Sequence, residues 1–291
     1  MSDETEMALS APESGARQRI ARLMARSGVC SRREAERWIA QGRVQVNGQV
    51  LTTPAVTVGA EDRVLVDGEP LKPPEAPRLW SYYKPVGLVV SENDPDGRPT
   101  VIDALPDHMP RVVTVGRLDI NSEGLLLLTN DGRLSRHLEL PDTGAARTYR
   151  VRVYGRVTPA ELSLMAAGIT VDDMRYAPIE AKIDSQEGTN AWLTMVLHEG
   201  KNREIRRICE HFGWQVNRLI RTGYGAWTLG SLKPGEVREI SSRRLAMEVG
   251  RLLGEAARDL SDTGRTDMNR AGDSDGADGR RGRRADHRRS T

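Results

Sequence analysis

One carboxylate, Asp119, lies between two apolar runs of the chain. The valine-rich segment Val112–Val115 precedes it, and Leu125–Leu128 follows it. Apolar runs of this length that are bounded by glycine and turn residues are typical of buried strands. Asp119 is therefore predicted to lie in a connection between two core strands, where a rigid frame could hold a catalytic group. The alternative is structural, since an aspartate in such a place often caps a turn or pairs with a neighbour such as Arg117.

Two other segments could supply the partners that such a carboxylate needs. Tyr149 lies in a predicted strand whose apolar and aromatic side chains alternate with arginines, and Lys201–Arg207 is rich in basic residues. A carboxylate can act as a nucleophile without a cofactor, and a neighbouring guanidinium can keep it ionised and oriented. An aromatic ring can stack on a base that has been turned out of an RNA helix. These groups suit cofactor-free chemistry on a nucleotide.

The sequence argues against several common kinds of site. It contains no GxxxxGK(S/T), GxGxxG or HExxH motif, and no serine lies in a GxSxG elbow between a predicted strand and a predicted helix. Its five histidines do not have the spacing of metal ligands. The two cysteines, Cys30 and Cys209, lie far apart and indicate neither a disulfide framework nor a zinc site. These eliminations are consistent with chemistry that needs neither a cofactor nor a metal.

The composition indicates a cytoplasmic protein without a membrane span. The chain has 291 residues, enough for two domains of ordinary size, and it contains no apolar run of about 18 residues. Its first residues are acidic and polar and lack the apolar region of a secretory signal. Two cysteines without a disulfide pattern fit a reducing compartment, and a monomer is expected.

Positive charge is concentrated in segments that are predicted to be folded. Residues 17–43 contain eight arginines against two glutamates, and residues 201–221 contain six basic residues against two glutamates. Such clusters are typical of proteins that bind a polyanion, and two of them favour nucleic acid over solvated helix faces. An arginine run between residues 280 and 289 could add non-specific RNA affinity or merely solubility.

Changes in composition divide the chain into four segments. Residues 1–16 and 251–291 have few apolar residues and no periodicity, so both ends are predicted to be disordered. Residues 17–77 form a small predicted domain that ends in a proline-rich linker, Leu71–Pro77, with an extended path. Residues 78–250 form the larger predicted domain, in which strand and helix patterns lack a regular βαβ rhythm. This mixture indicates the α+β class.

Local signals place several elements along the chain. Ser31–Glu34 is a capping box that opens a helix, and Asn47-Gly48 and Asp67-Gly68 predict tight turns between strands. A second capping box, Thr158–Glu161, starts a helix that ends at Gly168. Strands are predicted at Leu79–Tyr83, Thr148–Val153 and Trp192–Val196, and extended structure at Gly87–Val90. An amphipathic helix is predicted with Ile205, Ile208, Cys209 and Phe212 on one face.

Three motifs in this order resemble those of the RsuA/RluB family of pseudouridine synthases. They are Gly116–Asp119 with Gly124–Leu126, Arg147–Val151 around Tyr149, and Glu199–Arg207. The segments Ser31–Glu34 and Gly42–Gly48 resemble the S4 RNA-binding domain, and the resemblance covers residues 17 to 241. It implies a small S4-type helix-helix-hairpin domain. A larger catalytic domain would follow, with a mixed, mainly antiparallel β-sheet and flanking helices.

The resemblance also implies roles for individual residues. Asp119 would be the nucleophile that handles the uridine while its glycosidic bond is broken, and the freed uracil would turn and be rejoined through C5. Tyr149 would stack on the flipped base and assist proton removal, and Leu219 would pack under it. Motif alignment makes Arg206, rather than Arg203, the partner of Asp119. The residues expected to bind substrate or RNA are Arg117, Lys84, Lys201, Asn202, Arg203, Arg207, Leu219, Arg32, Arg33 and Arg43.

The implied activity is the conversion of one uridine of ribosomal RNA to pseudouridine without a cofactor. Asp94–Val101 resembles the branch of the family that acts on the large subunit. The favoured substrate is therefore 23S rRNA, free or in an assembly intermediate. The alternatives are the same chemistry on 16S rRNA or tRNA, and a non-catalytic ribosome assembly factor that binds RNA through its S4 domain. Three mechanisms stay open: Asp119 could add to the base, attack the sugar, or act through a glycal intermediate.

Overall fold

The N-terminal part of the chain folds as two helices packed on short strands. In the computed structural model, which describes residues 17–140 and 145–250, α1 (Ile20–Arg26) is followed by α2 (Arg32–Ala40). The Ser31 hydroxyl accepts the N–H of Glu34, and the Glu34 carboxylate accepts the N–H of Ser31. These reciprocal bonds satisfy backbone donors at the start of α2 and confirm the predicted capping box.

Two tight turns set the pairing of the short strands. The strands are β1 (Gln18–Arg19), β2 (Val44–Val46), β3 (Gln49–Val50), β4 (Thr57–Val58), β5 (Val64–Val66) and β6 (Glu69–Pro70). They pair as β3-β2-β5-β6 and as β1-β4. Asn47 and Gly48 have φ angles of 52° and 83°, and Asp67 and Gly68 have 52° and 85°. Positive φ at both central residues is what a two-residue hairpin of type I′ requires, so both predicted turns are confirmed.

A separate apolar core joins these helices to their strands. Ile20, Met24, Ala35, Ile39 and Val44 are completely buried in it. Burial of a large apolar side chain contributes about 1.5–3 kcal/mol to the free energy of unfolding, so this part has a core of its own. Residues 17–77 are termed the N-terminal unit, and residues 78–250 the C-terminal unit.

The C-terminal unit is built on one mixed sheet. Its strands are β7 (Leu79–Lys84), β8 (Val113–Val115), β9 (Glu123–Thr129), β10 (Arg147–Tyr154), β13 (Glu180–Glu187), β14 (Asn190–Leu197), β15 (Gln215–Tyr224), β16 (Trp227–Thr228) and β17 (Val237–Ile240). Their order is β13-β14-β10-β15-β9-β7-β17, with β8 beside β9 and β16 beside β15. Every pairing is antiparallel except that of β15 with β9. The prediction of an α+β fold with a mainly antiparallel sheet is confirmed.

Helices and one additional hairpin flank this sheet. They are α3 (Gly132–Glu139), α4 (Pro159–Ala166), α5 (Glu204–His211), the hairpin β11 (Ile169–Val171) with β12 (Met174–Tyr176), and a helical segment at residues 242–250. The Thr158 capping box opens α4, and Gly168, with a φ of 80°, follows its end. Ile205, Ile208 and Cys209 of α5 are buried against the sheet, as their spacing predicts.

The parallel pairing joins the two halves of the large sheet. Only Glu123 with Ile220 and Gly124 with Arg221 are paired across it. Gly124 has a φ of 104°, and a Cβ atom there would lie 2.3 Å from the backbone oxygen of Arg221. Only glycine permits so close an approach of two strands. The start of β9 is thereby fixed against β15.

Two of the predicted extended segments have different places in the fold. The predicted extended segment Gly87–Val90 makes only an isolated bridge, between Val89 and Thr100. Gly87, with a φ of 95°, donates its N–H to the carbonyl of Ile120 at 2.8 Å, which ties this segment to the residue that follows Asp119. The strand predicted at Trp192–Val196 is present as β14, and its buried face carries Ala191, Leu193, Met195 and Leu197.

The two units contact each other within a single compact part of the chain that ends at Gly250. Arg26 Nε of α1 lies 3.6 Å from Asp131 Oδ2, and both side chains are largely buried. Asp131 also caps α3, since its carboxylate accepts the N–H of Arg133 at 2.7 Å. The ends predicted to be disordered lie outside the described residues. Within the residues that are described, no helix is long and apolar enough to span a bilayer.

Candidate active site

The loop that carries Asp119, residues 116–122, joins β8 to β9. These strands pair antiparallel, with Val115 opposite Leu127. Val115 and Leu125–Leu128 are completely buried, as the two apolar runs predict. Because the interior is close-packed, the ends of the loop cannot separate without opening the core. The Asp119 side chain is 30% exposed.

Hydrogen bonds from several elements fix the backbone of this loop. With the donor first, they are Gly116 N–H to Glu139 Oε1 (3.0 Å), Gly87 N–H to Ile120 O (2.8 Å), Ser122 N–H to Asp119 O (3.0 Å), Arg206 Nη2 to Asn121 O (2.8 Å) and Lys84 Nζ to Ser122 O (2.9 Å). A typical intramolecular hydrogen bond stabilises a fold by a net 0.5–1.5 kcal/mol, on the order of several kcal/mol for the set. The carboxylate is therefore carried on a backbone that is held along its length.

Lys84 lies at the end of β7 and is completely buried. Its Nζ donates to Ser122 O and to Pro85 O, each at 2.9 Å. Burial lowers the pKa of Lys84 to about 8, although the charges of Asp119 and Glu123 oppose the shift. The expected contact of Lys84 with RNA does not fit this placement, because the ammonium group is enclosed and donates to protein carbonyls. Lys84 instead positions the loop.

Two guanidinium groups lie near the Asp119 carboxylate. Arg206 Nε is 3.7 Å and Arg203 Nη1 is 3.8 Å from Oδ2, distances of ion pairs rather than hydrogen bonds. Arg206 is 14% exposed, its Nε has no hydrogen-bond partner, and burial lowers its pKa. Arg203 is 51% exposed and has a φ of 53° before α5, a strained conformation often found at functional sites. Both arginines, not Arg206 alone, flank the carboxylate.

Tyr149 and Leu219 line the same cleft as Asp119, which has a volume of about 450 Å³. Tyr149 of β10 is opposite Arg221 of β15, and Val151 is opposite Leu219, so these side chains share one face of the sheet. The pairing shifts between Thr148 and Tyr149, and such a bulge re-aims the neighbouring side chain. Tyr149 is half-buried and packs against the cores of both halves of the sheet.

Arg221 and Tyr224 are cleft residues that the sequence argument does not single out. Arg221 is 2% exposed, and its Nε donates to Leu125 O at 2.7 Å, whereas its buried Nη2 has no partner. The hydroxyl of Tyr224 donates to Leu138 O at 2.9 Å. Arginine is rarely buried unless it is paired. An arginine within the apolar end of a predicted strand is therefore the sequence feature that could have pointed to Arg221. Its Nη2 is a buried hydrogen-bond donor that no described residue accepts.

A pair of glutamates supports the segment that leads into α5. Glu204 Oε2 accepts the N–H of Lys201 at 3.0 Å, and Glu199 accepts Lys201 Nζ at 2.6 Å. Burial raises the pKa of Glu204 to about 7, and the neighbouring charge of Glu199 adds to the shift. Glu204 therefore gains or loses its proton near neutral pH at the edge of the cleft. Within the described residues, no three histidine, cysteine, aspartate or glutamate side chains are grouped as metal ligands.

The other predicted contacts in the C-terminal unit differ in accessibility. Arg117, Asn202 and Arg203 are exposed and line the cleft. Lys201 lines it as well, but its Nζ also donates to Arg175 O at 2.7 Å and is held by the protein. Arg207 of α5 does not line the cleft.

The predicted contacts in the N-terminal unit lie elsewhere. Arg32 and Arg33 of α2 are exposed and line a second cleft, between the two units. Arg43 donates two hydrogen bonds to Asp67, and its guanidinium carbon lies 4.4 Å from the ring centroid of Trp38. The structure thus places Arg32 and Arg33 at an exposed cleft between the two units, whereas Arg43 makes its contacts within its own unit.

Comparison with known families matches both units. A family model described as RNA pseudouridylate synthase matches residues 78–211, and a model of the S4 domain matches residues 18–64. The first range contains Asp119, Tyr149 and Arg206. The second contains α1, α2 and the Asn47-Gly48 hairpin.

Similar proteins span most of the chain. An uncharacterized RNA pseudouridine synthase of Rickettsia bellii is 48% identical over 226 residues, which are 78% of this chain and 98% of that protein. The ribosomal large subunit pseudouridine synthase B of Yersinia pestis is 41% identical over 214 residues, 72% of this chain and 67% of that protein. A crystal structure described as a pseudouridylate synthase has a TM-score of 0.55 and 26% identity, and the match covers 79% of this chain and 98% of the other.

Proposed function

This chain belongs to the RNA pseudouridine synthase family, and we propose that it isomerises one uridine of 23S ribosomal RNA with Asp119 as the nucleophile. The observation that carries the proposal is the firmly held loop 116–122, which places one carboxylate beside two guanidinium groups in the cleft of Tyr149 and Leu219. The substrate is suggested by the relative from Yersinia pestis, whose name is ribosomal large subunit pseudouridine synthase B.

The proposed reaction conserves the atoms of the uridine. The bond between N1 and C1′ breaks, a bond between C5 and C1′ forms, the proton leaves C5 and N1 takes up a proton. Asp119 acts as the nucleophile on the uridine while the bond between N1 and C1′ is cleaved. The positive charges of Arg203 and Arg206 favour the ionised form of Asp119. Tyr149 stacks on the base and assists removal of the C5 proton, while Leu219 packs beneath it. A cleft of about 450 Å³ is within the usual size range of a small-molecule site.

A uridine inside an RNA helix must be turned out to reach this cleft. We assign Arg206 to holding the opened site, because it is largely buried beside Asp119. Arg117, Asn202 and Arg203 at the rim contact the flanking phosphates, and Arg207 contacts RNA beyond the rim. Lys84 and Lys201 act as positioning residues, since their ammonium groups donate to protein oxygens.

We further propose that the two units divide the work. Residues 78–250 carry out the isomerisation, and residues 17–77 recognise RNA outside the target nucleotide. The match of residues 18–64 to the S4 domain and the exposed arginines of α2 support this division. Arg32 and Arg33 belong to the recognition surface, whereas Arg43 stabilises the hairpin through Asp67.

The experiment is a tritium-release assay on unmodified 23S rRNA that carries tritium at C5 of uridine. Asp119→Asn should lower the rate by at least about 10⁴-fold, as expected for removal of a nucleophile, and should leave the fold and RNA affinity intact. Asp107→Asn, which changes an exposed carboxylate outside the cleft, is the matched control. Near-normal release by Asp119→Asn would contradict the role of Asp119. Release from 16S rRNA or tRNA instead of 23S rRNA would contradict the substrate.

A further inference from the structure

A second cleft, of about 900 Å³, lies between the N-terminal and C-terminal units. Its walls come from α1 and α2 on one side and from α3 with the segment around Arg111 on the other. Seven arginines line it, against the two carboxylates Glu92 and Glu139. This surface is termed the arginine cleft.

Three of these arginines are neutralised within the protein. Arg26 and Arg133 share Asp131, at 3.6 Å and 3.0 Å. Arg111 pairs with Glu92. Asp131 is buried and caps α3, so these ion pairs serve the junction of the two units. The carboxylates of Asp131 and Glu92 therefore do not neutralise the other arginines of the cleft.

The remaining four arginines have no such partner. Arg22, Arg32, Arg33 and Arg136 make no ion pair within 4.0 Å with any residue that the structure describes. Arg22 Nε is also buried without a hydrogen-bond partner. Like charges gathered around one cavity repel one another, and a buried donor without a partner lowers stability. A bound polyanion would remove the repulsion among these arginines.

We propose that the arginine cleft binds backbone phosphates of a second segment of the substrate RNA and clamps it between the two units. The proposal rests on the function proposed above, because it requires an RNA substrate. Guanidinium groups donate two parallel hydrogen bonds to a phosphate. Four separate guanidinium groups on two walls match a chain of phosphates better than a single small anion.

Helix α3 connects this cleft to the site of isomerisation. Arg133, Arg136 and Glu139 of α3 line the arginine cleft, and Glu139 lines the Asp119 cleft as well. Glu139 Oε1 accepts both the N–H of Gly116 and the hydroxyl of Ser135. Helix α3 therefore both binds RNA in the arginine cleft and fixes the start of loop 116–122. Clamping of the RNA consequently sets the distance between the bound segment and the target uridine.

The first test uses charge reversal on each wall. Arg32→Glu on α2 and Arg136→Glu on α3 should each weaken binding of a fluorescently labelled RNA hairpin by at least about eightfold at 0.1 M salt, because one phosphate contact contributes a slope of about 0.9 to the salt dependence of log K. The salt slope should fall by about the same amount. Matched controls are Arg63→Glu and Arg156→Glu, exposed arginines of the two units that line neither cleft. Loss of affinity on one wall only, or equal loss in the controls, overturns the proposal.

The second test asks whether both walls touch the same RNA segment. Ala25→Cys and His137→Cys place a thiol on opposite walls, while the native Cys30 and Cys209 are buried. With a photoactivated cross-linker on each thiol, both should attach to the same stretch of the hairpin. Attachment from one wall only overturns the proposal. Neither test needs turnover, so a protein that binds in this way without forming pseudouridine overturns only the proposed function.

Discussion

The loop 116–122 and the arginine cleft share helix α3, yet their polar groups are held in different ways. In the loop, backbone atoms from Gly116 to Ser122 are tied to other elements by short hydrogen bonds. In the arginine cleft, Arg32, Arg33 and Arg136 have no carboxylate partner among the described residues. In the account proposed above, the backbone of the loop is positioned by the protein itself, whereas the arginine cleft is completed by its ligand.

This contrast has a physical basis. Catalytic groups gain from fixed geometry, because displacement by about 1 Å can cost about 10²-fold in rate. Phosphate binding depends mainly on charge, and it tolerates adjustment of long side chains. The contrast predicts that changes near the loop alter the rate or the stability, while changes in the arginine cleft alter the affinity and its salt dependence.

The largest effect after loss of Asp119 itself is expected at Arg206. Arg206→Met removes the bond to Asn121 O and the nearer, more buried charge beside Asp119, so the single-turnover rate at saturating RNA should fall by about 10²–10³-fold. Arg203→Met, the matched comparison, removes a charge at a similar distance from a more exposed side chain, and the fall should be about tenfold, since screening weakens exposed pairs. An equal or larger fall in rate for Arg203→Met would show that the hydrogen bond from Arg206 to the carbonyl of Asn121 does not determine the rate.

A smaller effect, on stability, is expected at Lys84. Lys84→Met leaves the carbonyls of Ser122 and Pro85 without their buried donor. Orphaned acceptors cost about 1–3 kcal/mol each, offset in part by removal of a buried charge, so the free energy of unfolding should fall by about 2 kcal/mol. Chemical denaturation measures it, with the exposed Lys72→Met as the control. Unchanged stability together with weaker RNA binding would restore the sequence-based view of Lys84 as an RNA contact.

The sequence predicts the elements whose signals are local. The capping boxes at Ser31 and Thr158, the hairpin at Asn47-Gly48 and the loop position of Asp119 depend on neighbouring residues, and all four are present. The resemblance, rather than periodicity, pointed to Tyr149 and Arg206, which the fold brings into the cleft of Asp119.

What the sequence misses depends on contacts between distant segments. The enclosure of Lys84, the bond from Gly87 to Ile120 and the free Nη2 of Arg221 arise from strands that meet only in the folded sheet. The arginine cleft needs two units to meet across the linker Leu71–Pro77. The sequence pattern within each unit does not predict the contact between the units.

The smallest effect is expected at Glu204, on the pH dependence of stability. Its pKa is raised from 4.5 to about 7 in the fold, so between these pH values the folded protein keeps a proton that the unfolded chain releases. Stability should therefore decrease as the pH rises through this window. Glu204→Gln should flatten the decrease of the unfolding midpoint between about pH 5 and 7, whereas Glu210→Gln, at an exposed position of α5, should not. An identical pH slope in Glu204→Gln and the wild type would refute this assignment.

The central claim is that loop 116–122 presents Asp119 for isomerisation of a 23S uridine. Its most direct test is mass-spectrometric mapping of pseudouridine in all ribosomal and transfer RNA from a strain that lacks this chain. The account predicts that one pseudouridine of 23S rRNA disappears, returns with the wild-type chain and does not return with Asp119→Asn expressed at the same level. A missing pseudouridine in 16S rRNA or tRNA, or its restoration by Asp119→Asn, would contradict the account.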